Sequence, residues 1–145
     1  EIEARYEIEI EEYVHIIQIE GRSLGDIARN HVIPTAVKYQ NILIDNVKGL
    51  KDIFGDDFKK YASEQLVLIA DISQRIEAIN SGVTTMTNER KKANTVKDTT
   101  KKASIYCNQV KPLFDDIRYH CDKLELLIDD ELWPLAKYRE LLFTK

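Results

Sequence analysis

Glu12 and His15 lie three residues apart, the E-x-x-H spacing that sets a carboxylate beside an imidazole in di-iron helix bundles. Such a centre needs a second copy of the pair and two further inward-facing glutamates. The sequence has no second copy, so Glu12 and His15 read as helix-surface residues and a metal-binding bundle ranks behind other readings. His31 falls on or near an apolar stripe and His120 adjoins Cys121. With no glycine-rich loop or catalytic arrangement beside them, both read as hydrogen-bonded structural histidines. Arg90, Lys91, Lys92, Lys97, Lys101 and Lys102 gather in one stretch without interleaved aromatic residues. That pattern favours a solvated hairpin end over a nucleic-acid site. The six glutamates among the first twelve residues form a surface complementary to it, within one chain or between neighbours. No catalytic, cofactor-binding or metal-ligating residue is assigned.

The elements that position these groups are helical. Ile69, Ile72, Ile76, Ile79, Val83 and Met86 alternate in steps of three and four, which puts all six on one helix stripe. Leu66 to Ile69 makes this helix apolar on more than one side, as expected where two neighbours cover it. Ahead of it, Ile10, Val14, Ile17, Leu24 and Ala28 keep a helical rhythm back to about Ile2. Gly21, Gly25 and Ala28 offer a place for close approach, and the register crosses Gly21 unbroken. Pro34 kinks this first helix, which ends near Ile53, where Gly55 takes a left-handed closing position and Asp56 or Asp57 caps the next helix. The middle helix stops at about Asn94. Thr95 and Asp98 form a capping box for a third, whose stripe includes Ala103, Cys107, Val110, Phe114, Ile117 and Cys121. It bends at Pro112 and ends near Leu132, since Pro134 disfavours helix at Trp133. The expected fold is all-α: an antiparallel bundle of three long helices plus a short C-terminal helix, one domain over residues 1–145.

Composition agrees. Five glycines and three prolines leave little room for all-β turns, and 43% hydrophobic residues suffice for one core. A net charge of −4 argues against nucleic acid, and no apolar run is long enough to span a bilayer. On one continuous helix Cys107 and Cys121 would stand roughly 21 Å apart, so they read as reduced, buried, small apolar residues of a cytoplasmic protein. The absence of an initial methionine reads as a piece of something longer.

The segments EARYEIEIEEY, RNHVIPTAVKYQN, NVKGLKDIFG, ERKKAN and IRYHCDKLELLIDDELWPLAKYRELLFTK together resemble the carboxyl-terminal region of bacterial type III glutamine synthetase, over essentially the whole chain. The resemblance implies a parent enzyme, a ligase, that joins glutamate and ammonia using ATP with a divalent cation, Mg or Mn. It implies assembly as two stacked hexameric rings. The family's catalytic and β-grasp domains lie upstream and their motifs are absent here, so no cofactor is expected in this region.

The expected role is therefore structural: packing on the upstream catalytic domain and making contacts between subunits, with no nucleic acid or membrane partner. The expected interface is the apolar tail, with Trp133, Leu135, Tyr138, Leu141, Leu142 and Phe143, and the kinked region, with Arg29, His31 and Tyr39. The competing class is an independent helical-bundle module for protein interaction.

Overall fold

The computed structural model describes residues 1–133 and 135, and these are helical almost throughout, with no strand among them. Helix α1 spans Ile2–Ile27, α2 Ile33–Phe54, α3 Lys59–Asn94, α4 Thr99–Ile105 and α5 Lys111–Leu127. Among the described residues the expected three long helices are replaced by five α-helical segments, two pairs of them joined through π turns.

Two of the breaks have one cause. A proline has no N–H, and its ring collides with the carbonyl four residues back. Two residues before Pro34 a π-helical turn, Ala28–Val32, closes with Ile33 N–H donating to the Ala28 carbonyl, five residues back. Before Pro112 the same turn recurs over Tyr106–Val110, with Lys111 N–H donating to Tyr106. Each widened turn accommodates the ring while the backbone stays helical. The extra residue also changes which side chains face inward. Tyr106 and Val110 are buried, whereas Cys107, expected inside, is exposed. His31, expected near the apolar stripe, is likewise exposed within the first π turn.

The turn between α2 and α3 contains Gly55 at φ +58°, a conformation that side chains disfavour. The expected aspartate cap is not formed: no side chain caps α3, and Asp57 pairs instead with Lys60 at 3.6 Å on the surface. At the next turn Thr95 closes α3, its hydroxyl donating to the Lys92 carbonyl at 2.7 Å. The expected capping box gives way to Asp98 alone, which accepts from the backbone N–H groups of Thr100 and Lys101 and starts α4. The last helix stops at Leu127, not near Leu132. Ile128 turns extended and buries its side chain, and the Asp129 carboxylate then accepts from Glu131 N–H at 2.9 Å. The expected short C-terminal helix lies outside the described residues.

Hydrogen bonds between elements give their direction. Gln18 donates to Asn94, Arg29 to Asn80 and Thr84, Gln40 to Ile69 and Ser73, and Gln65 to Asn46. Partner numbers fall as the others rise, so the α1–α2 path runs antiparallel to α3. Arg75 reaches His120 and Tyr106 reaches Asn94, so α5 and its π turn run antiparallel to α3 as well. Helix α3 is thus the element against which the others pack, through Ile72, Ile79, Val83 and Met86, all buried. Each such side chain contributes roughly 1.5–3 kcal/mol. Opposite them stand Val14, Ile17 and Val32 on one side and Phe114, Ile117 and Leu124 on the other.

Glycines set two of the closest approaches. Phe114 lies against Gly21, where an added Cβ would come within 3.2 Å of its ring, and Ile117 lies against Gly82, where the distance would be 2.9 Å. One expectation about α3 fails. Leu66 and Val67 are exposed, Val67 by 66%, because both lie on the side of α3 turned away from the buried Ile72–Ile79 stripe.

Candidate interface surfaces and an arginine-lined cleft

The helical stripe of α1 continues outward beyond its neighbours. Ile17, Tyr13, Ile10, Tyr6 and Ile2 follow one another at helical spacing, on one face. Ile17 is 2% exposed and Tyr13 packs on the core, but Tyr6 is 58% and Ile2 85% exposed. The core-facing stripe therefore runs past the point where α4 covers it. On the other flank Ile8, Ile16 and Ile19 are also exposed. At the opposite end of the molecule the α2–α3 turn exposes Ile53, with Phe54 and Tyr61 stacked at 4.0 Å between ring centroids.

The expected interface residues are distributed differently. Trp133 packs against the core together with Leu132, while Leu135 is exposed. Tyr138, Leu141, Leu142 and Phe143 lie outside the described residues. In the kinked region Tyr39 packs on the core and His31 faces solvent, its carbonyl accepting from Thr35 Oγ1 at 2.8 Å. Arg29, on the first π turn, donates to the Asn80 carbonyl and Thr84 Oγ1 of α3.

Arg29 is also one wall of a cleft of about 270 Å³ between α1 and α3. Its other polar lining includes Arg22, Asp26, Thr87 and Arg90, and its floor includes Gly21, Gly25 and Val83. Asp26 accepts from Asn30 Nδ2. The Nε of Arg90 is shut off from solvent with no acceptor. Sequence reasoning flagged the glycines as a place of close approach and counted Arg90 among the basic residues of the turn. It missed the cleft, because only antiparallel packing brings Arg22 and Arg90 together.

The remaining chemistry-bearing residues separate into smaller groups. Glu12 and His15 are exposed on α1, and among the described residues no three His, Cys, Asp or Glu side chains converge as a metal site. The acidic start and the basic turn do meet within the chain: Glu11 and His15 share a cleft with Lys97 and Lys102. His120 is half-buried between α3 and α5. Arg75 is always a donor, so its 3.1 Å contact makes Nδ1 of His120 the acceptor and leaves the ring proton on Nε2, 3.8 Å from Asp116. Arg75 itself is held by Asp71 at 3.3 Å and lies over the Tyr119 ring. This network joins two helices and has a structural arrangement. Cys121 is half-buried beside it, and burial pushes its thiol up to about 11. Cys107 hydrogen-bonds Tyr13 and, with partial burial, raises the tyrosine hydroxyl above its usual value. Among the described residues no helix is long and apolar enough to cross a membrane.

Comparison with known proteins follows the same path as the geometry. Residues 1–51 match the family model described as glutamine synthetase C-terminal domain. Over its full length the chain is 47% identical to a glutamine synthetase of Bacteroides fragilis (strain YCH46). It is 28% identical to a type-3 glutamine synthetase of Dictyostelium discoideum, again over its full length. A glutamine synthetase of Butyrivibrio fibrisolvens is 24% identical over 99% of the chain. In each case the chain spans about 20% of the relative's length.

Proposed function

We propose that this chain, whose residues 1–51 match the glutamine synthetase C-terminal domain, is the non-catalytic helical region of a type III glutamine synthetase. The full-length form would make glutamine from glutamate, ammonia and ATP, with Mg or Mn, in the cytoplasm of a bacterial cell. In this reading residues 1–145 are one domain, whose described helices form an antiparallel bundle, and the domain packs on the catalytic domain and mediates contacts between subunits of a homo-oligomer.

One observation carries this reading. The core stripe of α1 runs out through Tyr6 and Ile2, which nothing among the described residues covers. Apolar surface aligned with a core is costly in water, at about 25 cal/mol for each Å² left exposed, and another part of a longer protein is the natural cover. The chain's share of its relatives' length leaves ample protein for that role. The apolar tail with Trp133 and Leu141 is the second proposed contact surface.

Two variants of the full-length protein test the reading: Ile2→Asp/Tyr6→Asp at the stripe and Trp133→Ala/Leu141→Ala at the tail. Sedimentation velocity should show assembly weakened by either pair, with glutamine-forming activity falling alongside. If both variants assemble and turn over like the unsubstituted protein, the structural role is wrong and the independent interaction module takes its place.

A further inference from the structure

We propose that the cleft between α1 and α3 is an anion site that takes a phosphate group, held by Arg22, Arg29 and Arg90. Three arginines line it from three elements: Arg22 from α1, Arg29 from the first π turn and Arg90 from α3. Among the described residues none of the three has a carboxylate within ion-pair distance. With Asp26 the one carboxylate among them, the like charges are not balanced and repel one another, and an anion relieves that repulsion.

The individual donors agree with this assignment. Both hydrogens of one Arg29 terminal nitrogen are committed to Asn80 and Thr84, which anchors the side chain and leaves its other nitrogens for a ligand. A buried donor without an acceptor is unfavourable, and the Arg90 Nε is such a donor. The glycines keep the floor low: a Cβ at Gly21 would come within 3.5 Å of the Arg90 chain itself. Thr87 is not free to serve as a donor, since its hydroxyl already donates to the Val83 carbonyl at 2.8 Å.

Charge selects the ligand class. The three arginines and the one carboxylate, Asp26, leave the cleft with two net positive charges. A phosphate group near neutral pH carries about −1.5 to −2 and offers three oxygens to planar, forked donors. The site depends on these side chains alone and is independent of the family reading. Free phosphate and the phosphate of a nucleotide share this chemistry.

Equilibrium dialysis of labelled inorganic phosphate against the full-length protein tests the site, with binding counted per subunit. Arg22→Gln/Arg90→Gln should lose one bound phosphate, or bind it at least about tenfold more weakly, since hydrogen bonds to charged groups are each worth about 1.5–3 kcal/mol. Asp26→Asn keeps the shape and removes the one negative charge, so it should bind phosphate about threefold more tightly. Competition separates the sources: displacement by ADP below the effective phosphate concentration assigns a nucleotide phosphate, and displacement by phosphate or sulfate alone assigns the free ion. Equal phosphate binding by the arginine double variant and the unsubstituted protein overturns the site. Should that variant lose its circular dichroism signal, unchanged affinity in Asp26→Asn overturns it instead.

Discussion

Gly82 shows how a single atom decides a sign. Alanine is the better helix former by about 1 kcal/mol, so Gly82→Ala within α3 would stabilise the helix if propensity alone acted. The added Cβ would sit 2.9 Å from Ile117 Cγ1, and Ile117 is fully buried with no solvent to retreat into. Overpacking of this kind costs about 1–3 kcal/mol, so the melting temperature should fall, and a rise would contradict the packing. The cysteines make a second residue-scale prediction. With its thiol pushed up to about 11, Cys121 is about 0.1% thiolate at pH 8, and it is half-buried. Iodoacetamide at pH 8 should therefore modify exposed Cys107 well before Cys121, as peptide mass spectrometry would read. The linkage has a defined sign. The neutral thiol is favoured in the folded chain, so what Cys121 contributes to stability is whole below the ordinary thiol value and is lost as pH rises toward 11.

At the scale of elements, chain breaks follow from local chemistry. Pro34 and Pro112 were legible as bends, but the π turns that absorb them add a residue each, which a fixed helical period does not describe. That is why Tyr106 occupies the core where the pattern favoured Cys107. The tyrosine also gains from its position, because its hydroxyl donates to Asn94 and accepts from Gln18 at 3.0 Å. Asp98 is the clearest local signal in the α3–α4 turn. Asp98→Ala removes the acceptor for the Thr100 and Lys101 N–H groups and should cost about 1 kcal/mol in urea unfolding. Thr95→Ala, by contrast, leaves that cap intact, since Thr95 belongs to the end of α3.

Across the whole molecule, α3 serves as the axis because its apolar stripe faces neighbours on two sides, and the ends of the molecule are where that coverage fails. Tyr6 and Ile2 at one end are exposed because α4 begins only at Thr99, whereas Val67 at the other lies on the side of α3 turned away from its buried stripe. The paired-aspartate test at Ile2 and Tyr6 belongs to this scale, since those side chains touch no described core residue and should affect assembly more than folding.

The amino-acid order by itself determined the helical class, the buried face of α3 and the positive-φ glycine of its first turn. Each of these depends on neighbours within a few residues, where a period of 3.6 or one missing Cβ settles the outcome. Only the tertiary structure decided that Gly82 receives Ile117 and that Arg22, Arg29 and Arg90 share one cleft. Those facts join residues distant in sequence, and their energies come from contacts that exist only once α3 has its neighbours in place.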